Sequence, residues 1–419
     1  MHKIERLLQT LAPKGVEFKT LEEVFEIKNG YTPSKNNPEF WEKGTIPWFR
    51  MEDIRENGRI LKDSIQHITP KALKNKKLFP KNSIIISTTA TIGEHALLIV
   101  DSLANQRFTF LSKKANCDLA LDMKFFFYQC FLLGEWCKNN TNVSGFASVD
   151  MTAFKKYKFP IPPLEIQQEI VKILDAFTEL NTELNTELKA RKKQYQYYQN
   201  MLLDFNDINS NHQDAKIKTY PKRLKSLLQT LAPKGVEFRK LGEVLEYDQP
   251  NKYCVMGKEF DKSYPTPVLT AGKTFILGYT NEKDNIYQAS KSSPVIIFDD
   301  FTTATQWVDF PFKVKSSAMK ILLPKNPTIN IRFIFFYMQT IPYNISGEHT
   351  RQWISRYSQI TIPIPPLEIQ QEIVKILDAF TELNTELNTE LKARKKQYEY
   401  YREKLLTFKP LTPHKEVKK

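Results

Sequence analysis

The longest regular pattern in the chain is a set of apolar residues at Ile166, Ile170, Ile173, Phe177, Leu180 and Leu184, spaced alternately four and three residues apart. That spacing keeps side chains on one stripe of a helix and forms a heptad seam. Pro162-Pro163 can only precede or start such a helix, and Glu165 in its first turn suits the positive end of the helix dipole. The Thr-Glu-Leu-Asn repeat that begins at Thr178 makes the last steps four and four, a stutter that relaxes supercoiling. The pattern predicts one long helix with a continuous apolar stripe.

The same helix is written twice. Residues 160–195 recur unchanged at 363–398, placing a second seam at Ile369, Ile373, Ile376, Phe380, Leu383 and Leu387. A shorter segment, LLQTLAPKGVEF at 7–18, recurs at 227–238. The two matches are offset by 203 and 220 residues, so the stretch between them is 17 residues longer in the first copy. Internal repetition on this scale sets the architecture before any local detail. Two identical stripes in one chain pair about a two-fold axis, antiparallel, with the variable pieces at opposite ends.

The variable pieces lie at 19–158 and 239–361. Each has a short apolar run that reads as a buried strand, Ser83-Ile84-Ile85-Ile86-Ser87 in one and Pro294-Val295-Ile296-Ile297-Phe298 in the other. A hydroxyl-rich loop follows each, Thr88 to Thr91 and Thr302 to Thr305. The fold class expected is α+β: two mixed α/β, strand-rich domains separated by a long antiparallel two-helix coiled coil, with an internal pseudo-two-fold repeat. The segments are 1–18 and 227–238 (short constant pieces), 159–206 and 362–408 (long helices), 207–226 (linker) and 409–419 (tail).

Composition adds a partner. The formal charge of +14 over 419 residues favours a polyanion, nucleic acid first among them, although a lysine-rich proteome supplies part of such an excess. Cys117, Cys130, Cys137 and Cys254 form no Cys-x-x-Cys pair and read as free thiols, with no metal site. No signal peptide or membrane span is visible, so a soluble cytoplasmic protein is expected.

Catalytic signatures are missing. No Gly-x-Gly or Gly-x4-Gly-Lys-Ser/Thr loop occurs, and Asn37-Pro38-Glu39-Phe40 lacks the second proline of an amino-methyltransferase motif. Asp299-Asp300 after a strand lacks a following Glu-x-Lys and reads as a turn. No cofactor is expected in this chain.

DNA reading needs cations for phosphates and amide, hydroxyl or guanidinium groups for base edges. The first domain offers Tyr31, Thr32, Ser34, Lys35, Arg50, Arg55, Arg59, Lys74, Thr88, Thr89, Thr91, Gln106 and Arg107. The second offers Thr270, Lys273, Thr303, Thr305, Gln306, Lys313, Arg351 and Gln352. Taken singly, each is also an ordinary surface residue; Thr88 to Thr91 is also a β-turn, and Trp307 also a core residue.

The twice-occurring Ile-Pro-Pro-Leu-Glu-x-Gln-x-x-Ile-Val-x-Ile-Leu-Asp, followed by Thr-Glu-Leu repeats, resembles the specificity subunits of type I restriction-modification systems. Gly30-Tyr31-Thr32-Pro33-Ser34, with Phe40-Trp41, Gly44 and Ile46-Pro47-Trp48, is similar to the opening of their target-recognition domains. The segment from Phe79-Pro80 to Gly93 is similar as well. The resemblance implies a non-catalytic DNA-reading subunit in which each domain reads half of a bipartite double-stranded site. It also implies that the paired helices set the spacer and dock two modification subunits. S-adenosylmethionine, ATP and Mg2+ are then expected on the modification and restriction subunits. A stand-alone nuclease or methyltransferase with degenerate motifs, and a scaffold spacing two protein-binding modules, are the competing readings.

Overall fold

A computed structural model describes residues 2–74, 77–142, 147–205, 220–270, 274–342 and 351–411. The chain divides into two compact units, Met1–Leu184 with Leu391–Lys419, and Asn185–Glu390.

In the first unit the apolar run becomes strand Ile84–Ser87, inside a five-stranded sheet. Its neighbours on one side are Phe108–Lys113 and then Phe25–Asn29; on the other, His95–Leu98 and then Ile60–Leu61. Successive strand residues face opposite sides of a sheet. Ile84, Ile86, Leu97 and Leu111 accordingly enter one core with helix Met123–Asn139. Ile85, Ala96, Leu98 and Phe110 enter another with Phe49 and Ile54. Burial on both faces explains why the run shows no polar alternation. A three-stranded sheet centred on Ile46–Phe49 pairs parallel to Leu103–Ala104 and antiparallel to His67–Ile68.

The second unit repeats this plan with almost entirely different side chains. Its main sheet runs Leu245–Asp248, Met319–Pro324, Val295–Asp299, Thr305–Val308. Ile296 and Phe298 face one core; Val295 and Ile297 face the other. Its smaller sheet centres on Thr266–Leu269, parallel to Lys313–Val314 and antiparallel to Ile276–Thr280.

The long helices are Leu164–Leu203 and Leu367–Leu406, 40 residues each, or about 60 Å at 1.5 Å per residue. Each unit takes the start of one and the end of the other. In the first unit, Ile166, Ile170, Val171 and Leu174 are buried in one core with Phe125, Phe159, Leu405 and Leu406. Ile369, Ile373 and Leu377 are buried in the equivalent core of the second. The first turns of each stripe therefore pack on the domain they follow, which corrects the expectation that the whole stripe is a helix–helix seam. Further along, helix meets helix. Phe177 approaches Tyr401 at 5.6 Å and Tyr398 at 6.2 Å in the first unit, and Phe380 stacks on Tyr198 at 5.1 Å in the second. Ile173, Leu180, Leu184, Ile376, Leu383 and Leu387 are half-buried. The stutter leucines Leu188 and Leu391 are the most enclosed of the Thr-Glu-Leu series, each 5% exposed.

One glutamine on each helix joins it to its domain. Gln167 Nε2 donates to the carbonyls of Ala120 and Pro162 at 2.8 and 2.7 Å, while its Oε1 accepts from Asp122 N at 2.8 Å. Gln370 repeats all three bonds, donating to Thr328 and Pro365 and accepting from Asn330 N. Asp122 and Asn330 are themselves the caps of helices Met123–Asn139 and Ile331–Met338. About two helical turns further, Asp175 pairs with Lys124 at 2.6 Å and Asp378 with Arg332 at 2.7 Å.

The reading of 207–226 as linker is corrected at its end, because helix Lys222–Leu231 begins inside it. The turn after this helix and after its counterpart His2–Leu11 is made by Gly235 and Gly15, at φ +101° and +106°. A Cβ on Gly15 would stand 2.6 Å from the Pro410 carbonyl oxygen, so the close approach itself requires glycine.

Gln167→Met and Gln370→Met keep volume and leave three backbone groups without partners, one buried and two at the margin of the core. Each is expected to lower the unfolding free energy of the complete chain in urea by about 2–3 kcal/mol, and a loss under about 0.5 kcal/mol would contradict the clamp.

Candidate nucleic-acid interface

In the first domain, loops at one end of the sheets converge on a cleft of about 330 Å3 lined by Lys35, Arg50, Arg55, Thr91 and Arg107, with Glu52 as its one carboxylate. Lys35 comes from the connection after strand Phe25–Asn29, and Arg55 from the exposed face of helix Met51–Asn57. Arg107 comes from the turn closed by Asn105, whose Oδ1 accepts from Arg107 N at 2.9 Å. Arg50 is set by the buried carboxylate of Asp53, which accepts from Arg50 N and Ile65 N, both at 2.6 Å. Its guanidinium lies 5.8 Å from the Trp48 ring, and Trp48 Nε1 donates to the Tyr31 carbonyl at 2.8 Å. A second depression of about 590 Å3 shares Arg55 and Thr91 and adds Lys138 and Thr141. Four cations against one carboxylate, beside a strip of hydroxyls, make an anion-binding surface with groups able to read base edges.

The hairpin at the rim has a firm base. Thr88 is buried, its Oγ1 3.0 Å from Thr109 Oγ1, and Val149 N donates to the Thr88 carbonyl. Thr89 is half-buried and its carbonyl accepts from Ser87 Oγ. Below it, His95 is wholly enclosed against Phe127 and Phe131, with Nδ1 3.1 Å from the Gly93 carbonyl. Burial, reinforced by the nearby Arg59 charge, pushes its pKa down from 6.5 to about 3.

In the second domain the corresponding hairpin follows Val295–Asp299. Asp299 accepts from Phe301 N, Thr302 N and Thr302 Oγ1 and so builds the turn. Asp300 accepts from Trp353 N at 2.8 Å and faces the buried Lys320 ammonium at 3.7 Å. Both carboxylates are thus structural. Burial lowers the Lys320 pKa, and Asp300 opposes that shift.

The comparisons agree with one another. A family model described as the type I restriction modification DNA specificity domain matches residues 13–194 and again 233–395. The EcoprrI specificity subunit of Escherichia coli is 38% identical over 397 residues, 91% of this chain and 92% of that protein. The EcoR124I/EcoR124II specificity subunit of the same organism is 56% identical over 184 residues, 42% of this chain and 45% of that one. This chain belongs to the type I specificity-subunit family. The fold agrees with the S subunit structure from M. genitalium, at a TM-score of 0.59 and 16% identity, covering 94% of this chain and 96% of that one. Specificity subunits are the non-catalytic members of their complexes.

Within this specificity subunit the remaining sequence-selected residues fall into three groups. Ser34, Lys74, Gln106, Gln306 and Arg351 are exposed. Thr32 donates to Gln106, and the Lys74 ammonium lies 5.5 Å from the Phe40 ring. Tyr31, Thr270 and Thr305 are half-buried, Tyr31 packed in an aromatic cluster with Trp41 and Trp48. A third group is committed inside its own domain and is corrected as a set of DNA contacts. Arg59 pairs with Glu94 at 2.6 Å and also donates to the His95 carbonyl. Lys313 is 2% exposed and pairs with Glu282 at 2.8 Å, which lowers the Glu282 pKa. Thr88, Thr303 and Gln352 are buried. Lys273 lies outside the described residues. Sequence reasoning missed Lys138 and the positioning carboxylate Asp53. Asp53 was detectable as an acid three residues after the N-cap Arg50.

His95 gives a pH signature. Unfolded, it takes a proton near pH 6.5; folded, it resists protonation down to about pH 3. Acidification across that window therefore favours the unfolded state, by up to about 1.4 kcal/mol per pH unit. The urea midpoint of the wild type is expected to fall more steeply below pH 6 than that of His95→Phe. Parallel profiles would show that His95 is accessible to protons in the folded domain.

Proposed function

We propose that this chain reads a bipartite double-stranded DNA site, one half through each variable domain, for a type I restriction-modification complex in the cytoplasm. One observation carries the reading. Two domains that share the order of four main-sheet strands but differ in loop residues are fastened by the same glutamine contacts to helices of repeated sequence, while the loops of the first converge on a cationic, hydroxyl-lined cleft. Such a molecule keeps its frame constant and varies only the surface that meets DNA. The membership implies modification subunits as partners, two of them docking on the helices, bringing S-adenosylmethionine to methylate adenine at N6. Restriction subunits would bring ATP- and Mg2+-dependent translocation and cleavage.

In the first cleft, Arg55 and Arg107 are exposed and carry the guanidinium groups that suit a phosphate or a base edge. Changing either to Ala is expected to weaken binding by the assembled complex. If the lost contact is to a phosphate, the slope of log K against log salt should fall by about 0.9. If it is to a base, the methylated motif should relax at one position of one half-site while the slope holds. Unchanged affinity, slope and motif in both variants would remove this cleft from the interface.

The Thr-Glu-Leu-Asn repeat then acts as a ruler for the gap. A helix of about 60 Å spans one DNA turn of about 34–36 Å but not two, so half-site centres should lie about one turn apart. Deleting Thr182 to Asn185 removes about 6 Å and about 40° of helix rotation. Sequencing of DNA methylated by the deletion variant should show both half-sites intact and the spacer shorter by one or two base pairs. An unchanged spacer would make the repeat plain coil.

A further inference from the structure

Met256 is 93% exposed, the highest value for a large apolar side chain among the described residues; the next, Tyr197, is 62%. The exposure does not come from a slack loop. Met256 N and Gly257 N both donate to one oxygen of Glu282, at 3.0 and 2.9 Å. The other oxygen of Glu282 meets the buried ammonium of Lys313 at 2.8 Å, and that ammonium also donates to the Asp284 carbonyl. One residue earlier, Val255 N donates to the Val314 carbonyl at 2.9 Å. An ion pair anchored on the buried Lys313 thus fixes the backbone from which this apolar side chain stands out into water.

Its place in the domain is informative. In the first domain Tyr31 N donates to the Ala104 carbonyl at 2.8 Å. Ala104 ends the strand parallel to Ile46–Phe49, as Val314 ends the strand parallel to Thr266–Leu269. Val255 is therefore the counterpart of Tyr31, and Met256 stands where Thr32 stands, on the connection that continues to Lys35 in the cationic cleft. The neighbouring positions change character too. Thr270 follows its strand where Arg50 follows the equivalent one, and exposed Ser316 and half-buried Ser317 occupy the turn that carries Gln106 and Arg107. This part of the second domain offers an apolar tip beside hydroxyls, with one exposed cation, Lys315, at the start of the same turn. Of the groups displayed in the major groove, the one that an apolar side chain recognises is the thymine C5-methyl.

We infer that Met256 is a specificity-determining residue of the second domain, contacting the C5-methyl of one thymine in its half-site. The inference rests on the proposed reading of DNA by both domains. Its test uses the complex of this chain with its modification subunits, on a duplex carrying the motif mapped by methylation sequencing. Each thymine is replaced in turn by deoxyuridine, which removes only the methyl group. One replacement should weaken wild-type binding by about fourfold, the value of one buried carbon group. Met256→Ala, which changes an exposed side chain and leaves the fold intact, should bind the unmodified duplex about fourfold more weakly and lose sensitivity at that thymine alone. Indifference of the wild type to every replacement would overturn the inference. So would equal sensitivity in Met256→Ala, as expected for a side chain wedged between bases or one facing a partner protein, or a motif without an A·T pair. A complex with no site-specific binding would instead sink the underlying reading.

Discussion

A domain that is to be exchanged for another of different sequence must be attached through something that sequence variation leaves alone. The side-chain amides of Gln167 and Gln370 meet that requirement, because all six of their partners, four carbonyls and two N–H groups, belong to the backbone rather than to particular side chains. Each glutamine fills the donor and acceptor sites at a helix start, where unmet polar groups would otherwise be buried. The adjoining carboxylates Asp175 and Asp378 accept a lysine in one domain and an arginine in the other. The attachment is specific in geometry and permissive in sequence.

That division of labour shapes the rest of each domain. Core strands present alternate residues to two apolar layers, so the sheet needs bulk and β-branching rather than particular side chains. The connections at one end are then free to carry Lys35, Arg50 and Arg107 in the first domain and Met256, Thr270 and Ser317 in the second. Carboxylates fix those connections in both: the buried Asp53 accepts from Arg50 N, and the half-buried Glu282 accepts from Met256 N and Gly257 N. The scaffold is common and the chemistry at its rim is not.

The repeat, the long helices and the buried strands were legible in the sequence because each is a periodic or duplicated pattern. The split of the apolar stripe was not. Ile166 and Ile170 show the same spacing whether they face a partner helix or a domain core, and only the tertiary fold decides between the two. Lys313 was misread for a related reason: a lysine reads as solvent-exposed unless its acidic partner is visible, and Glu282 lies 31 residues away in another strand's connection. Met256 escaped notice because an isolated methionine in sequence looks like core. Recognition residues sit on loops without periodicity, so their grouping into a cleft appeared only once strand order was known.

The central claim is that the constant helices carry two reading domains that act independently. The most direct measurement replaces residues 19–158 with the corresponding domain of another specificity subunit and maps the adenines methylated by the resulting complex. Reading sites that act independently should contribute additively. In the expected motif one half-site takes the donor's bases while the other half-site and the spacer length are retained. A motif altered in both halves would contradict it.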